Sequence, residues 1–302
     1  MEKFRQVSLV LRRGLSGWHV GCRHAGYGMR ILVTGTSSGI GSVIAVRLAE
    51  HGHEVVAGAR RVADAPAHPR IRPVELDVTD TAQLAAVAKS IGPLGGVVNN
   101  AGITFAGPLE HLPLDRLREQ LEINVVGVVA VTQAFLPAIR AGLGRIVVIG
   151  STSGLVTTPL LGAYSASKFA VEAVAGALRQ ELTPWGLPVV MVNPGSFASQ
   201  NRAKTTATAE ADRAVMGESA ERQYGRAMDA LVRFNRSVES RAGDPEQVAA
   251  VVERALTVRR PRPRYLVGAD ARMVVTMKRL LPARTVDTVL SRVMGLPRRP
   301  SD

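Results

Sequence analysis

The stretch that most constrains this chain is a short apolar run, Ile31 to Thr34. It passes directly into Gly35-Thr36-Ser37-Ser38-Gly39-Ile40-Gly41 and then into a helical pattern. Glycines at such a junction permit a tight turn and a close backbone approach by a ligand, while the helix start presents its unpaired N–H groups. A pyrophosphate suits that place, so Gly35, Ser37, Ser38, Gly39, Ile40 and Gly41 are expected to hold a dinucleotide. An ordinary glycine-rich turn has the same local look, and what distinguishes the two is how the chain continues.

It continues as a repeated alternation of short β-rich apolar runs with helical segments, the pattern of βαβ units and a parallel sheet. Strands are expected at Ile31 to Thr34, Glu54 to Ala59, Arg72 to Leu76, Gly96 to Asn99, Arg145 to Gly150, Val189 to Asn193 and Tyr265 to Val267. Helices are expected near residues 40–51, 80–90, 114–141, 163–182 and 245–258. The fold class is therefore α/β. We expect a doubly wound (Rossmann) parallel seven-stranded sheet with helices on both faces and a C-terminal helical appendage. Residues 29–270 are read as the nucleotide-binding catalytic domain, with 196–242 as a weakly periodic substrate lid. Residues 1–28 are read as a dispensable N-terminal extension, disordered or preceding a true start at Met29, and 271–302 as a basic amphipathic tail.

The formal charge of +13 invites a nucleic-acid reading, and its distribution argues against one. Residues 1–28 hold five Lys or Arg against one acid, 29–195 thirteen against twelve, and 196–302 twenty against twelve. The sheet-forming part is nearly neutral, and at 4% aromatic content the basic ends lack stacking partners, so no nucleic acid is expected as a partner. The single cysteine, Cys22, excludes an internal disulfide, and no ligand spacing surrounds it, so no metal is expected. The most apolar run, Val125 to Ile139, is interrupted by Gly127, Thr132, Gln133 and Pro137 and reads as a buried helix, not a membrane span. Val7 to Leu11 is too short an apolar piece for a signal peptide. A cytoplasmic homo-oligomer is expected, with a targeting peptide as the competing reading of residues 1–28.

Which dinucleotide binds depends on the end of the second strand, Val55-Val56-Ala57-Gly58-Ala59-Arg60-Arg61. An acid there accepts hydrogen bonds from a ribose 2′-hydroxyl, whereas an arginine pairs with a 2′-phosphate through its planar fork. Ala59 fills the acid's place and Arg60 follows it, which favours NADP. The alternative is that Arg60 and Arg61 merely start a solvated loop.

Tyr164-Ser165-Ala166-Ser167-Lys168 opens a helix, and Ser151 ends the preceding strand. Residues four apart share a helix face, so Lys168 lies near the Tyr164 phenol. A neighbouring cation favours phenolate and draws a pKa of ~10 toward the working pH.

The combination of Thr34-Gly35 through Gly41, Asn99-Asn100-Ala101-Gly102, Asn124, Ser151, Tyr164-x-x-x-Lys168 and Pro194-Gly195 resembles the short-chain dehydrogenase/reductase family. The resemblance covers about residues 29–270. It implies that Tyr164 exchanges the substrate hydroxyl proton and that Lys168 holds the nicotinamide ribose and lowers the tyrosine pKa. Ser151 is implied to bond the carbonyl oxygen, and Asn124 to hold a water that relays protons to Lys168. Asp77 and Val78 are implied to lie near the adenine, and Asn99, Ala101 and Gly102 to line the adenosine side. A helix-terminal acid or cap is the plainer reading of Asp77. After Pro194-Gly195 the family places a threonine against the carboxamide. Here Ser199 stands in that position, and Phe197 is expected beside the nicotinamide.

The reaction implied is hydride transfer between NADP(H) and a small-molecule alcohol/ketone or alcohol/aldehyde pair. Residues 152–162 carry no Arg, Lys, Asp or Glu, which points to an uncharged, hydrophobic substrate. The C-terminal pattern resembles members acting on steroids, retinoids or related lipids. A non-catalytic NADP-binding sensor is the competing class, and the presence of Ser151, Tyr164 and Lys168 weighs against it. In the tail, Met273, Met277, Leu280 and Leu281, then Val286, Val289, Leu290 and Val293, recur at helical spacing on either side of Pro282. These faces pack on the protein or a second subunit, or else rest peripherally on an anionic membrane.

Overall fold

The computed structural model describes residues 28–297 apart from 198–199 and 240–241. The expected N-terminal extension lies, up to residue 27, outside the described residues. Elements follow in the order β1 (Arg30–Thr34), α1 (Gly39–Glu50), β2 (Glu54–Ala59), β3 (Ile71–Glu75), α2 (Thr81–Ile91) and β4 (Gly96–Asn99). Then come α3 (Leu114–Leu121), α4 (Gly127–Ala141), β5 (Arg145–Ile149), α5 (Gly162–Glu181) and β6 (Val189–Pro194). The chain closes with α6 (Gln200–Glu239), α7 (Glu246–Thr257), β7 (Arg264–Val267), α8 (Ala269–Leu280) and α9 (Ala283–Val293). The seven strands were expected within a residue of these bounds.

The strands form one parallel sheet in the order β3-β2-β1-β4-β5-β6-β7. Side chains alternate between sheet faces, and the sequence uses that alternation to build two cores. Ile31, Val33, Val55, Ala57, Val147, Ile149, Val190 and Val192 meet α1 and α7 through Ile44, Leu48, Val248, Val252 and Leu256. Leu32, Val56, Val97, Ile146, Val148, Val189 and Met191 meet α2, α4 and α5 through Leu84, Val131, Phe135, Ile139 and Val171. Every residue of β4, β5 and β6 is buried, as a parallel strand covered on both faces must be. Pro73, which has no N–H to give to a ladder, falls in β3 at the sheet edge.

Helices α3 and α4 join through a π turn at Glu122–Val126 into a continuous helix, Leu114–Ala141. It is long and apolar enough to cross a membrane, yet its Val128, Val131, Phe135 and Ile139 are buried under the sheet. The segment read as a weakly helical lid forms α6, which is broken at Gly217 (φ 80°, ψ 174°).

Strand order reverses between β1 and β4, and the two chain continuations diverge there to opposite faces, leaving a crevice at their carboxyl ends. Gly35 lies at its lip with φ 69°, and a Cβ added there would stand 2.8 Å from the Ala101 Cα. Gly35→Ala is therefore expected to lower stability by about 1–3 kcal/mol through strain and displaced backbone. A urea-unfolding midpoint unchanged from the parent would contradict this account of the crevice.

Candidate active site

The crevice is clamped by side chains from both of its walls. The Asn100 side-chain amide donates to the carbonyls of Thr34 (2.9 Å) and Gly35 (3.0 Å). In return the Thr34 hydroxyl accepts from the backbone N–H groups of Asn100 (3.0 Å) and Ala101 (3.1 Å). A Cβ on Gly41 would collide with the Asn100 amide and the Gly35 carbonyl, so the helix start fits against the clamp only as glycine. Helix α1 has no acid in its first turn, and its N-cap, Ser38, makes no side-chain cap bond. Its opening N–H groups thus lack a local anion, the arrangement that favours a phosphate.

At the end of β2, Arg61 is occupied by Asp64, bonding its carboxylate at 2.8 and 3.2 Å. Arg60 is exposed and makes no ion pair among the described residues. After β3, Asp77 accepts from the Thr79 backbone (2.9 Å) and hydroxyl (2.7 Å), closing a local turn. The cap of α2 is instead Asp80, which accepts from the Gln83 N–H at 2.9 Å, so the plainer reading of Asp77 as a cap does not hold. Val78 is a core residue that packs against Gly127.

Ser151 follows β5 and accepts from the Ser153 N–H at 3.1 Å as N-cap of the turn Thr152–Gly154. Tyr164 and Lys168 lie one turn apart on α5, with the ammonium 5.8 Å from the tyrosine ring centre. Lys168 is buried and donates to the Ile149 carbonyl at 2.9 Å. Burial lowers its pKa to about 8, against the opposing pull of the Glu172 carboxylate.

Two of the expected site residues have side chains engaged within the fold. Phe197 is 4% exposed and packs in the core against Gly243 and Gly268. The Asn124 side chain is held by neighbouring segments. It bonds both backbone groups of Ile103 (2.8 and 2.9 Å) and the Ser167 hydroxyl (3.0 Å). Asn99 is likewise buried, its amide directed at the Thr132 hydroxyl (3.4 Å). Pro194 and Gly195 end β6 as expected, with the Gly195 N–H donating to Val267 (2.9 Å). Ser199 lies outside the described residues.

The glycine turn, Ser151 and Gly195 follow β1, β5 and β6 at the carboxyl edge of one sheet, and a direct comparison with known proteins agrees with the resemblance. A family model described as short chain dehydrogenase matches residues 29–210. The chain belongs to the short chain dehydrogenase family. It is 35% identical over 284 residues to retinol dehydrogenase 5 of Mus musculus, covering 88% of this chain and 89% of that protein. It is 32% identical over 276 residues to the NADPH-dependent 3-dehydrocapnine reductase of Ornithobacterium rhinotracheale, covering 85% and 94%. A short chain dehydrogenase from Burkholderia cenocepacia, solved with NADP, superposes with TM-score 0.69 at 24% identity, over 90% of this chain and 99% of that one. The protein is thus an NAD(P)-dependent oxidoreductase that transfers a hydride to or from a small-molecule substrate.

Within this short chain dehydrogenase, several supporting residues went unrecognised in the sequence. Asn193 bonds the Glu172 carboxylate (2.6 Å) and the Ser151 carbonyl (3.0 Å), and Arg264 pairs with the other Glu172 oxygen. Asp270, on α8, accepts from the Ser196 N–H at 2.7 Å and fixes the backbone just after Gly195. Glu172 had a legible signal, one turn beyond Lys168 on the same face, and Asn193 stood immediately before Pro194 at a strand end. Asp270 and Arg264 had none, because they arrive from far along the chain.

Lysine-labelled protein followed by NMR should show Lys168, assigned with Lys168→Arg, titrating near 8. Its charge is then held below that pH and lost above it. Glu172→Gln removes the opposing negative charge, so the midpoint should fall further. A midpoint in the ordinary lysine range, or one raised by Glu172→Gln, contradicts the electrostatics drawn here.

Proposed function

We propose that this enzyme uses NADP(H) to interconvert a hydrophobic alcohol and its ketone or aldehyde, with Tyr164 as the group that exchanges the hydroxyl proton. The observation that carries the reading is the half-buried Tyr164 beside a buried, cationic Lys168, one sheet strand from a glycine turn open to a pyrophosphate. A bound nicotinamide supplies or accepts the hydride. The remaining steps belong to the chain. The Lys168 ammonium stabilises phenolate on Tyr164, so that hydroxyl can exchange a proton with the substrate oxygen. The Ser151 hydroxyl, at the end of β5, is positioned to hydrogen-bond the substrate oxygen. Since the Asn124 side chain is committed to Ile103 and Ser167, a relay water in this proposal is held by the main chain of the π turn. A non-catalytic sensor has no use for a buried lysine whose pKa burial lowers beside a tyrosine, and no observation favours that alternative.

Preference for NADP rests on Arg60, exposed and unpaired among the described residues at the end of β2. Asp77 and the Asn99 to Gly102 segment are proposed as the adenosine side of the same site. A hydrophobic substrate is supported by the apolar packing of the segment that leads into Tyr164. Phe105, Leu112 and Ala163 are buried together with Ile103, Leu117 and Met216 against them. Beyond them Leu160 and Leu161 meet Leu231 and Phe234 of α6 and Met294 and Leu296 at the chain end. Leu160 holds φ 61°, a strained conformation for a branched residue, and its carbonyl accepts from Gly107 at 2.7 Å. Both the lid and the tail thus pack on the segment just before Tyr164.

Tyr164→Phe should abolish turnover while leaving NADPH affinity nearly intact, as read by absorbance assays and fluorescence titration. Substantial residual turnover would sink the assignment of the proton donor. Arg60→Ala should weaken NADPH by roughly ten- to a hundred-fold and NADH little, the cost of one charge-assisted contact. Equal affinity of the parent for the two cofactors argues against an NADP site.

A further inference from the structure

The two tail helices differ in how many large apolar residues they leave exposed. On α9 the stripe Val286, Val289 and Leu290 turns inward and is continued by Met294, while Val293 is left 63% exposed. On α8 Ala271 is buried, Val274, Val275 and Met277 are half-buried, and Asp270 bonds the Ser196 N–H. Its outward face is Arg272, Met273, Thr276, Arg279 and Leu280, spaced i, i+1, i+4, i+7 and i+8 and all exposed. Met273 is 66% and Leu280 76% exposed, and Leu281, next along, is 39% exposed. Large apolar side chains this open, adjacent in space and drawn from one short segment, are unusual on a soluble surface.

We propose that the outward face of α8 docks this protein onto an anionic lipid surface. The apolar edge formed by Met273 and Leu280 enters the headgroup boundary, and the basic edge formed by Arg272 and Arg279 contacts lipid phosphates. No acid stands on that face. From residue 254 to 299 the chain carries twelve Lys or Arg against only Asp270 and Asp287, and Asp270 is spent inside the fold. The same charge disfavours a second copy as the occupant, because a two-fold contact sets each patch against its own likeness and brings arginines together. An amphipathic helix with arginines bordering Leu and Met matches the chemistry of an interfacial helix.

The helix is rigidly tied to the body. Lys278 donates to the Leu155 carbonyl and stands 5.0 Å over the Phe169 ring. Helix α8 thereby rests beside the turn Thr152–Gly154 that follows Ser151. Docking through it carries the rim of the active site to the lipid surface.

The test is co-sedimentation of the full chain with vesicles of phosphatidylcholine alone and with about a third phosphatidylserine, at low and high salt. Binding is expected to the anionic vesicles at low salt, with little to neutral ones and loss of binding at high salt. Met273→Glu with Leu280→Glu, and separately Arg272→Gln with Arg279→Gln, should each weaken it by about tenfold or more. Both sets leave the cofactor and proton-transfer groups untouched. Circular dichroism and turnover of a water-soluble ketone report whether each variant is folded. No binding to anionic vesicles, equal binding to neutral ones, or undiminished binding by folded variants overturns the proposal. A concentration-dependent dimer that the Glu variants abolish also overturns it, in favour of contact between copies. The vesicle assay uses no substrate or cofactor, so its outcome is independent of the function proposed above.

Discussion

The active-site edge depends on the clamp between the ends of β1 and β4. Where strand order reverses, the two chains turn to opposite faces of the sheet and their last backbone groups lose the ladder that satisfied them. Thr34 and Asn100 replace those partners reciprocally, side chain to backbone in both directions. Breaking one bond would strand a donor or acceptor in a half-buried crevice, which costs more than the bond itself is worth. Gly35 and Gly41 take their meaning from the same clamp. Ala101 and Asn100 occupy the space their side chains would need, so these glycines serve the joining of two strands as well as a ligand's approach.

A second constraint is the buried ammonium of Lys168. Helix α5 is pressed onto the sheet by Val171 and Ala175, and this packing carries Lys168 under the end of β5 and away from water. The Ile149 carbonyl and the Glu172 carboxylate partly offset the desolvation. Glu172 is in turn held by Asn193 and Arg264 from β6 and β7. One carboxylate thus links the electrostatics of Lys168 to the backbone of Ser151, through the Asn193 bond to the Ser151 carbonyl.

The outer parts of the chain pack on the loops that precede Tyr164 and α3. The half of α6 beyond Gly217 is fastened to the 103–112 loop by Tyr224 to Glu110 (2.6 Å) and His111 to Gln223 (2.7 Å). The segment just after α9 packs on Leu160 and Leu161 through Met294 and Leu296. These contacts are apolar, whereas those of Tyr224 and His111 are polar.

Periodicity and spacing in the sequence determined the strands, most helices, the sheet class and the positions of the glycine turn, Ser151, Tyr164 and Lys168. All of these depend on neighbours within one turn or one strand, where local geometry leaves little choice. The sequence did not determine which way Phe197 turns, what holds the Asn124 amide, or which tail stripe is covered. Phe197 and Asn124 each carry side chains suited to a ligand or to the fold, and their partners Gly243, Gly268, Ile103 and Ser167 arrive from other segments. The stripes on α8 and α9 look alike in sequence, since helical period records that a face is apolar and not what lies against it. Tertiary packing separated them: α9 buries Val286 and leads into Met294 and Leu296, which meet the lid and loop, whereas α8 is anchored by Asp270 and Lys278 on its inner side and leaves Met273 and Leu280 facing out.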